Sequence, residues 1–214
     1  MDLKAEFMKL LEEEDKEKCV NWALDQLERG LKIADLYINV LTPALNMIVC
    51  LEKNEAMCIW KEHVKTSIVR TIIEIAYPFV LKQRDASKYA KNKEVGVLVL
   101  CPPEETHEIG ARMVADFFSM AGYKAIFIGS STPSASVLSA IEATKPGFVA
   151  ISVSNPYHLF KTRQIIADIK KIAPGGVKII IGGSALKGRQ DMRDKLGADM
   201  YLSSVDEISK LGGN

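Results

Sequence analysis

Three kinds of signal are scarce in this 214-residue sequence, and each scarcity excludes a class of function. Net charge is only +1, from 28 basic and 27 acidic residues. Nucleic-acid-binding surfaces need a basic excess to displace counterions, so no direct nucleic-acid partner is expected. No stretch of about 18 apolar residues exists, so no membrane-spanning helix is expected. The acidic, amphipathic beginning MDLKAEFMKLLEEEDKEK lacks the pattern of a secretory or organellar leader, and a cytoplasmic location is expected. Cys19, Cys50, Cys58 and Cys101 have neither zinc nor redox spacing and are expected as reduced, mostly buried thiols. Histidines are three: His63, His107 and His158. Neither the glycine-rich dinucleotide fingerprint GxGxxG nor the phosphate loop GxxxxGK[ST] occurs.

What is present divides by periodicity. Glycine occurs once before position 96, at Gly30, and apolar residues recur at three and four. Phe7, Leu10 and Leu11 form one stripe, and Val20, Ala23, Leu24 and Leu27 a second. Ile33, Leu36, Ile38, Val40, Leu41, Ala44, Leu45 and Ile48 form a third; Ile59, Val64, Ile68, Ile72, Ile75 and Ala76 a fourth. This spacing predicts amphipathic helices packed as a bundle over residues 1–88. Trp22 is expected in its core. Pro43 removes a helix donor, so a kink or break is expected there.

Residues 85–93 are polar and read as a linker. Beyond them, β-branched runs alternate with helical stretches. The strands expected are 95–100, 124–129, 147–152, 177–182 and a weaker 198–203; the helices are 108–121, 133–145, 157–172 and 187–196. Such alternation predicts an α/β domain over 89–214 with a flavodoxin-like, doubly wound, five-stranded parallel sheet. Ligands of such sheets bind at the carboxyl ends of the strands.

Three loops there carry chemistry. The loop after the first strand holds Glu105, Thr106, His107, Glu108, Ile109 and Gly110. A histidine beside a carboxylate can bind metal through one ring nitrogen while the carboxylate holds the other. Ser152 and Ser154 follow the third strand; Gly182, Gly183 and Ser184 follow the fourth. Taken singly, these loops read as a surface histidine, a helix cap and a tight turn.

In combination they resemble the cobalamin-binding Rossmann domain, with its D-x-H-x-x-G, S-x-L and G-G motifs. Here 41 residues (111–151) separate the first two motifs and 27 (155–181) the last two. Methionine synthase, corrinoid methyl carriers and B12-dependent light-sensing regulators share that pattern. The resemblance implies a cobalamin, adenosylcobalamin or methylcobalamin, held with its own base displaced and His107 as the lower cobalt ligand. Glu105 corresponds to the aspartate that orients that histidine, and Gly110 to the close approach of the corrin. Ser152, Ser154, Gly182 and Gly183 correspond to the pocket for the displaced nucleotide tail. Glutamate at 105 resembles the light-sensing branch. Ser154, in place of leucine, implies a more polar pocket.

The helical half resembles the cap bundle of the same families through Leu41, Thr42, Pro43, Ala44 and Leu45 and on to Glu62 and His63. Glu62 and His63 are implied to meet the upper ligand. The family's tryptophan position falls on Glu52, followed by Lys53, which departs from the light-sensing pattern. The resemblance leads first to a B12-dependent sensor acting through a signalling partner or homo-oligomerisation. A corrinoid methyl-carrier subunit working with methyltransferases is the alternative, and a haem-binding sensor a weaker one. In none of these is the chain a complete enzyme alone.

Overall fold

The computed structural model describes residues 2–47, 55–86, 94–173 and 175–211. The chain divides into two compact units, Met1–Gln83 and Arg84–Asn214.

The first unit is helical: α1 (Leu3–Glu12), α2 (Lys16–Glu28), α3 (Ile33–Asp35), a π-helical stretch (Leu36–Leu41), α4 (Thr42–Asn46), α5 (Glu55–Ile75) and α6 (Tyr77–Ala86), whose last residues pass into the second unit. Asp2 and Asp15 start α1 and α2 by accepting from otherwise unpaired N–H groups at Lys4, Ala5 and Lys18. Phe7, Trp22, Ile33, Leu36, Ile68 and Ile72 are buried; each such side chain contributes roughly 1.5–3 kcal/mol. Ile38 and Ile59, read from the periodicity as members of apolar stripes, are exposed. Pro43 does not break the chain. Pro43 has no N–H to donate, and the preceding turn widens so that Thr42 N–H donates to Tyr37 O, five residues back.

Cys19 and Cys101 are free and buried. Cys58 is disulfide-bonded, which corrects the expectation of a reduced thiol there. Positions 48, 49, 52 and 53, compared above with the cap motif, lie outside the described residues.

The second unit is a five-stranded, wholly parallel sheet of order β2-β1-β3-β4-β5. Its elements are β1 (Gly96–Leu100), α7 (Ile109–Met120), β2 (Lys124–Gly129), α8 (Ser134–Thr144), β3 (Phe148–Ser152), α9 (Leu159–Ile172), β4 (Lys178–Gly182), α10 (Met192–Leu196), β5 (Met200–Tyr201) and α11 (Asp206–Lys210). Helix α10 is shorter than the expected 187–196, because residues 187–191 form turns, with Gly188 at φ +73°.

Strands buried on both faces read as continuous apolar runs rather than alternations, which is why residues 97–100 and 179–181 are uniformly hydrophobic. Period 2 then assigns the faces. Leu98, Leu100, Val149, Ile151, Ile179 and Ile181 pack with Val137, Ile141, Ile165 and Ile169 of α8 and α9 in one core. Val99, Ala150 and Ile180 point the other way. The strand order reverses direction between β1 and β3, and the crevice at such a switch point is where this fold receives ligands.

Candidate functional site

The loops after β1 and β3 meet at that switch point, and Glu105 joins them. Its carboxylate is fully buried. One oxygen accepts from the His107 backbone N–H (3.1 Å) and sits 2.6 Å from His107 Nδ1. The other accepts from Ser154 N–H (3.2 Å) and Asn155 N–H (2.8 Å), across the gap to β3. Burial pushes the Glu105 carboxyl up, but hydrogen bonds from the His107 ring, the His107 and Asn155 backbone and the nearby imidazole outweigh it. The net pKa lies below the ordinary 4.5.

An ionised carboxylate only accepts, so Nδ1 carries a proton, and in the neutral ring the lone pair is on Nε2. The His107 side chain is 62% exposed, and Nε2 is bonded to no described residue. A deeply anchored ring with an outward Nε2 is the arrangement of an oriented metal ligand.

The loop is braced from other sides as well. Ser131 N–H donates to Glu105 O at 3.1 Å. Glu108 accepts from Ser130 N–H at 3.1 Å and Ser130 Oγ at 2.7 Å. Ser154 Oγ donates to His107 O at 3.4 Å, and Ser184 Oγ to Ser154 O at 3.2 Å. Cys101 Sγ lies 3.7 Å from His107 O; burial first, then Glu105 and Glu108, push its thiol up to about 12. That cysteine is therefore a buried packing group at neutral pH.

Among the described residues, no group of three or more His, Cys, Asp or Glu side chains gathers to hold a metal ion. The donor set at the switch point is one imidazole. It suits a metal that brings its equatorial ligands with it, as a tetrapyrrole does. Gly110, exposed in the first turn of α7, has open space where a Cβ would stand.

Beneath the loops lies a cavity of about 170 Å³ on the α7 side of the sheet. Ser152, Gly182 and Gly183 line it, together with Leu202, Ser203 and Ser204 from the loop after β5. Ser154, grouped with Ser152 in the sequence, does not line it and belongs to the histidine loop. Gly183 has φ +109°, and a Cβ there would stand 2.3 Å from Val153 O, so the turn admits only glycine. Thr106 is exposed, Ile109 is buried and Ser184 ties the β3 and β4 loops. Glu62 and His63 are exposed on α5, in the first unit. His158 caps the start of α9, its carbonyl accepting from Thr162 Oγ1 at 2.8 Å.

Sequence reading missed the far side of the cavity: Val99, Val114, Phe118, Val205 and Ile208. The loop after β5 was findable, because it too follows a strand; α7 was not, because helix periodicity does not say which apolar residues border a void. The Glu108–Ser130 brace had no sequence signal at all.

Comparison with known proteins agrees with the fold. Trimethylamine corrinoid protein 1 of Methanosarcina mazei is 30% identical over 135 residues, 62% of this chain and 62% of that protein. The HTH-type transcriptional repressor CarH of Myxococcus xanthus is 22% identical over 188 residues, 87% of this chain and 60% of the repressor. The chain thus spans about three fifths of the length of these curated relatives. The monomethylamine corrinoid protein of Methanosarcina barkeri has the same fold, with a TM-score of 0.73 at 14% identity over 98% of this chain and 96% of that one. The model of the B12 binding domain matches residues 95–206, and the chain belongs to that family, whose cofactor is cobalamin.

Proposed function

We propose that the chain is a corrinoid methyl carrier that holds cobalamin with its own base displaced and His107 Nε2 on cobalt. The observation that carries the cofactor part of this reading is the buried Glu105 carboxylate beside His107 Nδ1; the similarity to corrinoid proteins supports the carrier role. The bound cofactor supplies a cobalt centre able to accept and release a methyl group. The chain's residues orient and tune that centre. Glu105 keeps the proton on Nδ1, Gly110 leaves room for the corrin, and the cavity under Ser152 and Gly182 receives the nucleotide tail. Methyltransferases are the partners that load and unload it, so the chain alone is not a complete enzyme.

Glutamate at 105 led first to a sensor. The relatives named as corrinoid proteins, at 30% identity, support the carrier better than does the repressor at 22%. The sensor stays a second reading because the repressor's similarity runs over 87% of this chain. Absorption spectra with methyl-, hydroxo- and adenosylcobalamin, in the dark and after green light, separate the two. A carrier binds methyl- and hydroxocobalamin and keeps its assembly state in light. Tight adenosylcobalamin binding with a light-triggered change in oligomer size overturns it in favour of the sensor.

A further inference from the structure

We propose that the floor of the cavity under Ser152 and Gly182 selects the lower base of the corrinoid. It takes an apolar, alkylated benzimidazole and rejects a purine with a polar edge. The inference rests on the cofactor reading above and adds a specificity to it.

The cavity has a polar rim and an apolar floor. Ser203 and Ser204 are exposed and Ser152 ends β3, so polar groups line the rim, with Ser203 Oγ donating to Glu207 at 3.0 Å. Ala150 and Ile180 lie two residues earlier on β3 and β4, which is roughly 6.6 Å deeper along the sheet. Val99 of β1 pairs with Ala150 and stands at that depth; Phe118 of α7 and Ile208 of α11 also line the cavity, and all three are buried. None of these five side chains offers a hydrogen-bond donor or acceptor. The strand backbone at Val99, Ala150 and Ile180 is already used in the parallel ladder.

Size and chemistry then point to one class of group. Apolar cavities of about 150 Å³ admit benzene, and this one, open at its rim, has a volume of about 170 Å³. A ribose finds the hydroxyls of Ser152 and Ser204 at the rim, and an aryl group finds hydrocarbon at the floor. A methylated benzimidazole presents only carbon to that floor. Adenine presents an exocyclic amine and ring nitrogens, which lose water and gain no partner. A site that leaves polar groups unpaired discriminates more sharply than one that merely lacks a methylene.

The test is a visible-absorbance titration of the full chain with three corrinoids: cobalamin, the cobamide carrying adenine as lower base, and cobinamide, which has no base. Cobalamin is expected to bind at least tenfold more tightly than the adenine cobamide, and more tightly than cobinamide. Val114→Thr, a near-isosteric change on α7 at the cavity wall, adds a hydroxyl and is expected to narrow the first ratio severalfold. Val99→Thr does the same from the sheet side, should Val114→Thr fold poorly. Cobalamin and the adenine cobamide binding within twofold of each other overturn the filter and leave the cofactor reading standing. Cobinamide matching cobalamin overturns it too. Failure of all three to bind overturns the cofactor reading and the filter together.

Discussion

Replacing Glu105 by glutamine removes one charge and changes little in shape, so its consequence follows from hydrogen bonds alone. The carboxylate accepts from four donors: His107 N–H, His107 Nδ1–H, Ser154 N–H and Asn155 N–H. An amide offers one accepting oxygen, so its NH₂ must face two of those donors whichever way it turns. Turned toward β3, it opposes Ser154 and Asn155 N–H in a place that water does not reach. Turned toward His107, it drives the ring to the other tautomer, with Nδ1 accepting and Nε2 protonated. Hydrogen bonds to charged groups contribute about 1.5–3 kcal/mol each. In the first orientation two such bonds are lost with buried donors left opposed, which costs about 3 kcal/mol of unfolding free energy or more. In the second the β3 bonds are kept but the tautomer switch hides the Nε2 lone pair, and loss of such an outer partner lowers metal affinity about 10–100-fold. Urea unfolding of the unloaded chain and a methylcobalamin titration measure the two effects. Stability within about 0.5 kcal/mol and affinity within twofold of the parent would refute the reasoning. Acidity gives a linked test. The folded pKa of Glu105 lies below its ordinary 4.5, so the carboxylate's stabilisation is fully present above that value. It is lost as pH falls from about 4.5 through the lowered folded value. The glutamine variant should lack this part of the acid sensitivity.

Other outcomes follow from the same geometry. His107→Ala should bind cobalamin weakly and lose the spectrum of histidine coordination; an unchanged spectrum rules out His107 as lower ligand. Gly110→Ala should leave stability unchanged or raise it by up to about 1 kcal/mol, since a helical Cβ there meets nothing, while cobalamin affinity falls. Equal affinity removes Gly110 from the corrin contact. Gly183→Ala should cost about 3 kcal/mol or more in urea unfolding, because its Cβ collides with backbone atoms of Val153 at positive φ; a parent-like midpoint contradicts that. The paired substitution Glu62→Ala, His63→Ala should shift the preference between adenosyl- and methylcobalamin, and identical titrations for both forms place these residues away from the upper ligand.

Strand positions were readable because doubly buried strands must be apolar at every residue, as at 97–100 and 179–181. The bundle helices were readable from period 3.6. The π-helical turn before Pro43 was not, because proline forbids a bond without saying whether the chain will kink, break or widen. The short α10 has a different cause: the helical pattern at 187–196 is interrupted by turns at 187–191, with Gly188 at positive φ. Cys58 shows the limit of spacing rules, since a disulfide needs two sulfurs in one place and not a motif.

By itself, the sequence determined the order of the loops and, through its resemblance to the cobalamin-binding family, the class of cofactor. The loop order depends on residue type, on spacing and on the rule that parallel strands deliver their ends to one edge. Only the tertiary structure decided which groups share a site. Glu105 reaches Ser154 and Asn155, 49 and 50 residues away, because β1 and β3 are neighbours at the switch point. The cavity floor draws Val99, Phe118, Ala150, Ile180 and Ile208 from five separate elements. A void is the space left after packing, and no single segment encodes it.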